Sequence, residues 1–237
     1  MTNKPARDVA GVALYRHEAI GALLQVRQID DEMKLCVLVS KRQRAPFIGH
    51  FALPSGAVEA DEGIADSVLR HLSQKFDIGG LTYLEQLDTR SDPFRDPAQR
   101  TIGTSYLGLA PLGLTTHLPA GAKWVPVSRT GQMAFDHADI VAGALARLRA
   151  KLSYTNIGFA LVPQEFTISQ LCSVYVAALG HSVAPTNLQR ILTRRGQLVC
   201  TDKFSQPDAK GGRPARLFRF TTRQLVVTDP FAVLRPE

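Results

Sequence analysis

His71, Gln74 and Lys75 stand at positions i, i+3 and i+4 of a segment that reads as a helix, so their side chains project to one side of it. Carboxylates at that spacing hold divalent metal ions against a pyrophosphate, because Mg²⁺ takes hard, anionic oxygen ligands. Here the three positions supply an imidazole, an amide and an ammonium. Upstream, Gly56, Glu62 and Arg70 are separated by five and seven residues. Glu59 and Glu62 are carboxylates, but they do not replace the missing triplet. Metal-assisted hydrolysis is therefore not expected, and no residue takes a catalytic or metal-binding role.

A second kind of chemistry gathers near the end of the chain. The formal net charge of the 237 residues is +7. Residues 184–223 hold nine Lys and Arg against Asp202 and Asp208, so this window alone carries the whole excess. Such clustering is the footprint of a surface that binds a polyanion; its rival is a solvated basic face. Within it, Thr186, Asn187, Gln189, Arg190, Thr193 and Arg194 lie away from the apolar Leu188, Ile191 and Leu192 on one helix. Arg pairs bidentately with guanine in the major groove and Asn with adenine. Arg195, Lys203, Lys210, Arg213 and Arg216 are the candidates for phosphate or minor-groove contacts. No aromatic platform is interleaved with these cations, which favours duplex DNA over RNA.

The elements that must position these residues follow from periodicity and punctuation. Residues 9–15, 20–26 and 33–39 read as strands, with a polar turn at 30–32. Ile64, Val68, Leu72 and Phe76 give a helix one apolar stripe, with Asp61 and Glu62 near its N-terminal end and Gly79-Gly80 as its stop. Residues 81–87 and 101–109 read as further strands. A second helix covers 137–152, with Asp136 as candidate N-cap and Ile140, Val141, Ala144, Leu145, Leu148 and Leu152 inward. Residues 154–163 read as a linker.

The best-punctuated stretch comes next. Thr167 and Gln170 fit a capping box, with Phe166 and Leu171 at the positions of a hydrophobic staple. Gly180 ends that helix. Pro185 opens the next one in its first turn, and Gly196 closes it. Strands at 198–201 and 216–220 flank a basic, glycine-rich tip at 205–214. Two helices and a two-stranded wing make a winged helix-turn-helix. Cys36, Cys172 and Cys200 are odd in number and lack metal spacing, so they read as reduced thiols. There is no run of eighteen apolar residues, and the first eight residues lack the apolar core of a signal peptide.

Nearly the whole chain resembles the Nudix-related transcriptional regulators, the NrtR family. The resemblance lies in residues 37–42, 46–56, 84–87, 95–97, 134–138 and 212–220. The spacing Gly56-x5-Glu62-x7-Arg70 matches the first half of the Nudix box. The second half calls for Glu, Leu, any residue, Glu, Glu, where this chain has His71, Leu72, Ser73, Gln74 and Lys75, with Asp77 for the closing glycine.

The resemblance implies an α/β chain: a Nudix-like α/β/α sandwich over residues 1–153, catalytically degenerate, for effector binding and dimerisation, then a winged helix-turn-helix over 154–237. It implies a cytoplasmic repressor of genes of NAD synthesis or use, a homodimer on a palindromic double-stranded DNA operator. No cofactor is required and no membrane is involved. ADP-ribose or a related NAD-derived nucleotide would be the effector, its diphosphate near Arg42, Arg44, Arg95 or Arg100, whose planar forks suit phosphate oxygens. Family members often carry Gly-Gly where this chain has Ser55-Gly56, so a side chain narrows that loop. Two rivals stay open: an active Nudix hydrolase of ADP-ribose or dinucleotides with an accessory nucleic-acid-binding domain, and a C-terminal module that docks protein.

Overall fold

A computed structural model of the chain describes residues 6–76, 80–115, 117–206 and 214–229. Strands β1 (Arg16–Ile29) and β2 (Glu32–Lys41) are joined by Asp30 and Asp31 alone. Both have positive φ, 51° and 61°, the condition for a two-residue hairpin turn whose twist matches its strands. The expected strand at 9–15 is a loop instead. The Asp8 carboxylate accepts the backbone N–H of Ala10 and Val12 at 2.9 and 2.8 Å, a local turn that competes with strand pairing.

Seven strands form one sheet along the path β3-β2-β1-β6-β5, with β4 on β1 and β7 on β2. The remaining members are β3 (Phe51–Ala52), β4 (Ser55–Ala57), β5 (Tyr83–Arg90), β6 (Thr101–Ala110) and β7 (Ala122–Pro126). β1 is buried without a break from Glu18 to Val26, as a central strand covered on both faces must be. Helix α1 (Ile64–Phe76) lays Val68, Leu72 and Phe76 on Ala19 and Leu23 of β1, Leu38 of β2 and Tyr106 of β6. That is the stripe read from the sequence. β3, β4 and β7 carry no pattern of their own, because two to five residues are too few to show a period. Helix α2 (His137–Tyr154) buries Ile140, Val141, Ala144, Leu148 and Leu152. Its expected N-cap, Asp136, has its carboxylate engaged by Arg95.

Contacts divide the chain into two compact units. One comprises Met1–Leu24, Cys36–Leu109 and Thr115–Ala144; the other Gln25–Leu35, Ala110–Leu114 and Leu145–Glu237. In the second unit the expected linker is core. Residues 155–162 are all buried, with a 3-10 turn at Ile157–Ala160. Their polar groups find partners: Asn156 donates to Gln224 O and accepts from Val226 N–H, and Leu161 O accepts from Leu112 N–H. Gly158 lets Tyr175 approach, since a Cβ there would lie 2.5 Å from the phenol oxygen.

Helices α3 (Ile168–Leu179) and α4 (Pro185–Arg194) and the antiparallel pair β8 (Leu198–Phe204) and β9 (Arg216–Phe220) complete this unit. Both bonds of the Thr167–Gln170 capping box form, at 2.9 and 3.1 Å. Phe166 and Leu171 are fully buried beside it. Gly180 caps α3 with φ +82°, where an L side chain would be strained. No helix among the described residues is long and apolar enough to cross a membrane.

Candidate functional site

The retained half of the box is structural. Arg70 donates from Nε to Glu62 Oε2 at 2.7 Å and from Nη2 to Ala57 O at 3.0 Å, while Glu62 Oε1 accepts the Glu59 backbone N–H. Together they fasten the 57–62 loop to α1. Chiefly through the hydrogen bond from Arg70, the Glu62 carboxyl is held down at about 2.

The altered half has been built into the wall of a cleft. The His71 ring lies under Gly56, so close that a Cβ at Gly56 would sit 2.1 Å from it. Its Nε2 lies 3.0 Å from Ala57 O; a carbonyl only accepts, so this nitrogen carries the proton and donates. Its buried Nδ1 has no partner. Lys75 reaches across the turn and donates to Ser55 O at 2.8 Å. Ser55, the residue that departs from Gly-Gly, turns its hydroxyl to Glu18 at 2.9 Å. Gln74 is exposed and does not line the cleft.

The cleft has a volume of about 640 Å³. Five cations line it, Arg16, Lys41, Arg42, Arg44 and Lys75, against Glu18, Glu59 and Asp96. Arg42 donates to Pro46 O at 2.8 Å and lies 4.5 Å from the centre of the Phe135 ring. Phe135 packs edge-on against Phe47, and both hold positive φ, 54° and 65°. Left-handed backbone at bulky residues costs on the order of 1–3 kcal/mol each and clusters at functional sites.

Of the four arginines expected near a diphosphate, Arg42 and Arg44 line the cleft. Arg95 and Arg100 do not. Arg95 is buried against Asp136 and Glu18. Arg100 donates to Ser91 O and Asp92 O and covers the Tyr15 ring. Both sit in the loop after β5, where sequence gives their charge but not the carboxylate or carbonyl that takes it up. Reading the sequence missed Arg16 and Glu18, which carried no motif, and treated Lys75 only as a lost ligand.

Mg²⁺ does not fit this donor set. Among the described residues no three His, Cys, Asp or Glu side chains gather as metal ligands. Glu18 is shared by Ser55, Arg16 and Arg95. Asp96 accepts from Ala98 N–H and the Thr101 hydroxyl.

In the second unit, α4 buries Leu188 and Leu192 and leaves Thr186, Asn187, Arg190, Thr193 and Arg194 exposed, with Gln189 half-buried. The Arg190 guanidinium donates to Asn187 Oδ1 at 2.7 Å, which aligns the two side chains on one exposed face. Arg195 is committed elsewhere: it donates to Ser153 O at 2.8 Å and to Asp229 at 2.6 Å. Two of its five N–H donors are thereby used within the fold, and the Asp229 carboxylate offsets its charge. Lys203 is exposed but pairs with Glu165 at 2.9 Å. Arg216 is exposed and covers the Phe204 ring. Lys210 and Arg213 lie outside the described residues.

Comparisons with known proteins agree with this division of labour. Residues 158–220 match the NrtR DNA-binding winged helix domain. The chain is 30% identical over 197 residues to the ADPR responsive transcriptional repressor NtrR of Acinetobacter baylyi, covering 80% of this chain and 77% of that protein. It is 30% identical over 141 residues to the ADP-ribose pyrophosphatase of Methanocaldococcus jannaschii, covering 57% of this chain and 78% of that enzyme. The crystal structure of Shewanella oneidensis NrtR complexed with a 27mer DNA superposes with a TM-score of 0.71 at 26% identity, over 86% of this chain and 93% of that one. The NUDIX domain of the same protein complexed with ADP ribose superposes with a TM-score of 0.51 at 28% identity, over 60% of this chain and 93% of that domain.

Proposed function

The chain belongs to the NrtR family of transcriptional repressors, and from that premise we propose that it is a DNA-binding repressor whose Nudix-like domain senses ADP-ribose or a related NAD-derived nucleotide without hydrolysing it. The observation that carries this reading is the free outer face of α4, with Asn187, Arg190 and Arg194 exposed on a helix held by a capped partner and a two-stranded wing. Residues 154–237 supply the DNA-binding part, with Thr186, Asn187, Gln189, Arg190, Thr193 and Arg194 toward base edges and Lys203, Lys210, Arg213 and Arg216 toward the backbone. Residues 1–153 supply the effector and dimerisation part. A homodimer on a palindromic operator in the cytoplasm, controlling genes of NAD synthesis or use, completes the proposal.

The loss of hydrolysis rests on the chemistry of His71, Gln74 and Lys75. The effector rests on the cationic cleft and on the ligand named for the Shewanella NUDIX domain. For the effector to release DNA, it must favour one arrangement of the repressor over the other by its own differential affinity.

Titration onto duplex DNA from the promoter region of its own gene tests the reading, with and without ADP-ribose and in the presence of a chelator. Log affinity should fall against log salt with a slope near −0.9 per phosphate contacted, and ADP-ribose should weaken the complex. Arg190→Ala should cost roughly 1–3 kcal/mol and relax base preference. Unchanged operator binding by Arg190→Ala would remove α4 from the base-reading role. The pyrophosphatase relative favours one rival, an active hydrolase of ADP-ribose or dinucleotides. Incubation of concentrated protein with Mg²⁺ and ADP-ribose should release no AMP; turnover would establish that rival.

A further inference from the structure

We propose that Lys75 and Arg16 hold the diphosphate of the effector directly, as built-in counter-charges standing where the fold otherwise recruits a divalent metal. The proposal rests on the reading of the cleft as the effector site.

The helix position that would carry a metal-binding carboxylate carries an ammonium, and that ammonium is not folded away. Lys75 is exposed, lines the cleft, and is anchored by one hydrogen bond to Ser55 O at 2.8 Å. An ammonium has three N–H donors, so two remain for a ligand. Arg16 enters the same cleft from the start of β1. Its only ion pair among the described residues is a loose one, 3.8 Å from Glu18 Oε1, and 39% of its side chain is exposed. Burial lowers the Lys75 pKa, Glu18 opposes that shift, and the charge of Arg16 adds to it, so the two cations lie within electrostatic reach of each other.

The balance of the cleft points the same way. Five cations face three carboxylates, and two of those carboxylates, Glu18 and Asp96, are already bonded. The surplus of two positive charges matches a diester diphosphate, with about one negative charge per phosphate. A metal here would sit beside the ammonium of Lys75 and the guanidinium of Arg16, whereas a diphosphate would meet donors from both and displace only the loose 3.8 Å pair of Arg16 with Glu18. His71 belongs to the same wall, 6% exposed with its ring beneath Gly56.

Isothermal titration of the full-length protein with ADP-ribose, and separately with inorganic pyrophosphate, tests this in EDTA and in excess Mg²⁺. The unaltered protein should bind ADP-ribose equally in both. Lys75→Met should weaken ADP-ribose and pyrophosphate roughly 10- to 100-fold, the scale of a lost charge-assisted hydrogen bond. Arg16→Gln should weaken both in the same direction, and Lys75→Arg should restore most of the loss. Because both side chains are exposed, unfolding temperatures should stay near that of the unaltered protein. A requirement for Mg²⁺, or a Lys75→Met protein that binds both probes like the original in EDTA, would overturn the proposal and leave the effector reading standing. Failure of ADP-ribose to bind in either buffer would remove the effector reading instead. Pyrophosphate binding that vanishes in Lys75→Met would then still support the anion site.

Discussion

Replacing Arg95 by methionine should lower the folding free energy by about 3–5 kcal/mol, the cost of breaking a buried ion pair from one side. The Arg95 side chain is 2% exposed. Its Nε and Nη2 donate to the two carboxylate oxygens of Asp136 at 3.1 and 2.7 Å, and its Nη1 lies 3.5 Å from Glu18 Oε2. Burial alone would raise the Asp136 pKa; the hydrogen bond and charge of Arg95 reverse this and hold it below its ordinary value. Without the guanidinium, two carboxylates face each other in a poorly solvated pocket. Gly103 shows how closely the site is fitted, since a Cβ there would lie 3.0 Å from the guanidinium. Arg95→Lys should recover only part of the loss, because an ammonium cannot match the bidentate geometry. Urea unfolding at neutral pH measures both variants. A loss under about 1 kcal/mol for Arg95→Met would mean that the triad is far better solvated than its burial indicates.

The same triad ties stability to the site. Glu18 takes Arg95 on one oxygen and Ser55 and Arg16 on the other, and Ser55 also presents the carbonyl that anchors Lys75. Asp136 immediately precedes α2. A ligand that draws Arg16 away from Glu18 therefore acts on a carboxylate that also holds Arg95, and through it the start of α2. Differential affinity of the ligand for two positions of Arg16 is the physical requirement for that coupling to do anything.

What sequence could disclose follows from the range of each interaction. The α1 stripe, the capping box at Thr167, the Gly180 cap and the opening Pro185 involve residues a few positions apart, so their geometry is written in the local spacing. The broken box was legible for the same reason. Residues 154–163 look like a linker because they fall between the end of one helix and the capping box of the next. They are core because Asn156 and Leu161 find partners at 224–226 and at 112, which no window on the chain contains. Arg95, Arg100 and Arg195 are equally mute. A cation on a pattern says only that charge is available; its use depends on which carboxylate or carbonyl the fold brings beside it. For Arg195 that group is Asp229.

Acidification should remove stability from this fold earlier than its carboxylates alone would require, with His137 the main cause and His71, whose pKa burial also lowers, adding to it. The His137 ring is fully buried at the start of α2, and its Nδ1 accepts the Leu53 backbone N–H at 2.9 Å. The ring must be neutral to accept there; protonation would set two donors against each other. Burial pushes its pKa from 6.5 down to about 3, Asp136 opposing and Arg95 and Arg42 adding to the shift. Between those values the unfolded chain binds the proton and the folded chain does not, so stability is full above about pH 6.5 and falls as pH falls toward 3. The slope approaches about 1.4 kcal/mol per pH unit for one proton, and the total is on the order of 5 kcal/mol. Asp136 and Glu62, both held below their ordinary values, add losses only at lower pH. His137→Asn separates the contributions: its Oδ1 falls near the place of the ring Nδ1 and can still accept from Leu53, yet it does not titrate. Urea unfolding from pH 7 to 4.5 should show a slope shallower by close to one proton in the variant. Parallel curves would mean that His137 gains no proton on unfolding and that the acid sensitivity lies elsewhere. Leu53 precedes Pro54, Ser55 and Gly56 on the cleft wall, so the acid-weakened bond is one that holds this loop of the cleft in place. Ligand affinity should therefore decline over the same pH range as stability, before the chain as a whole unfolds.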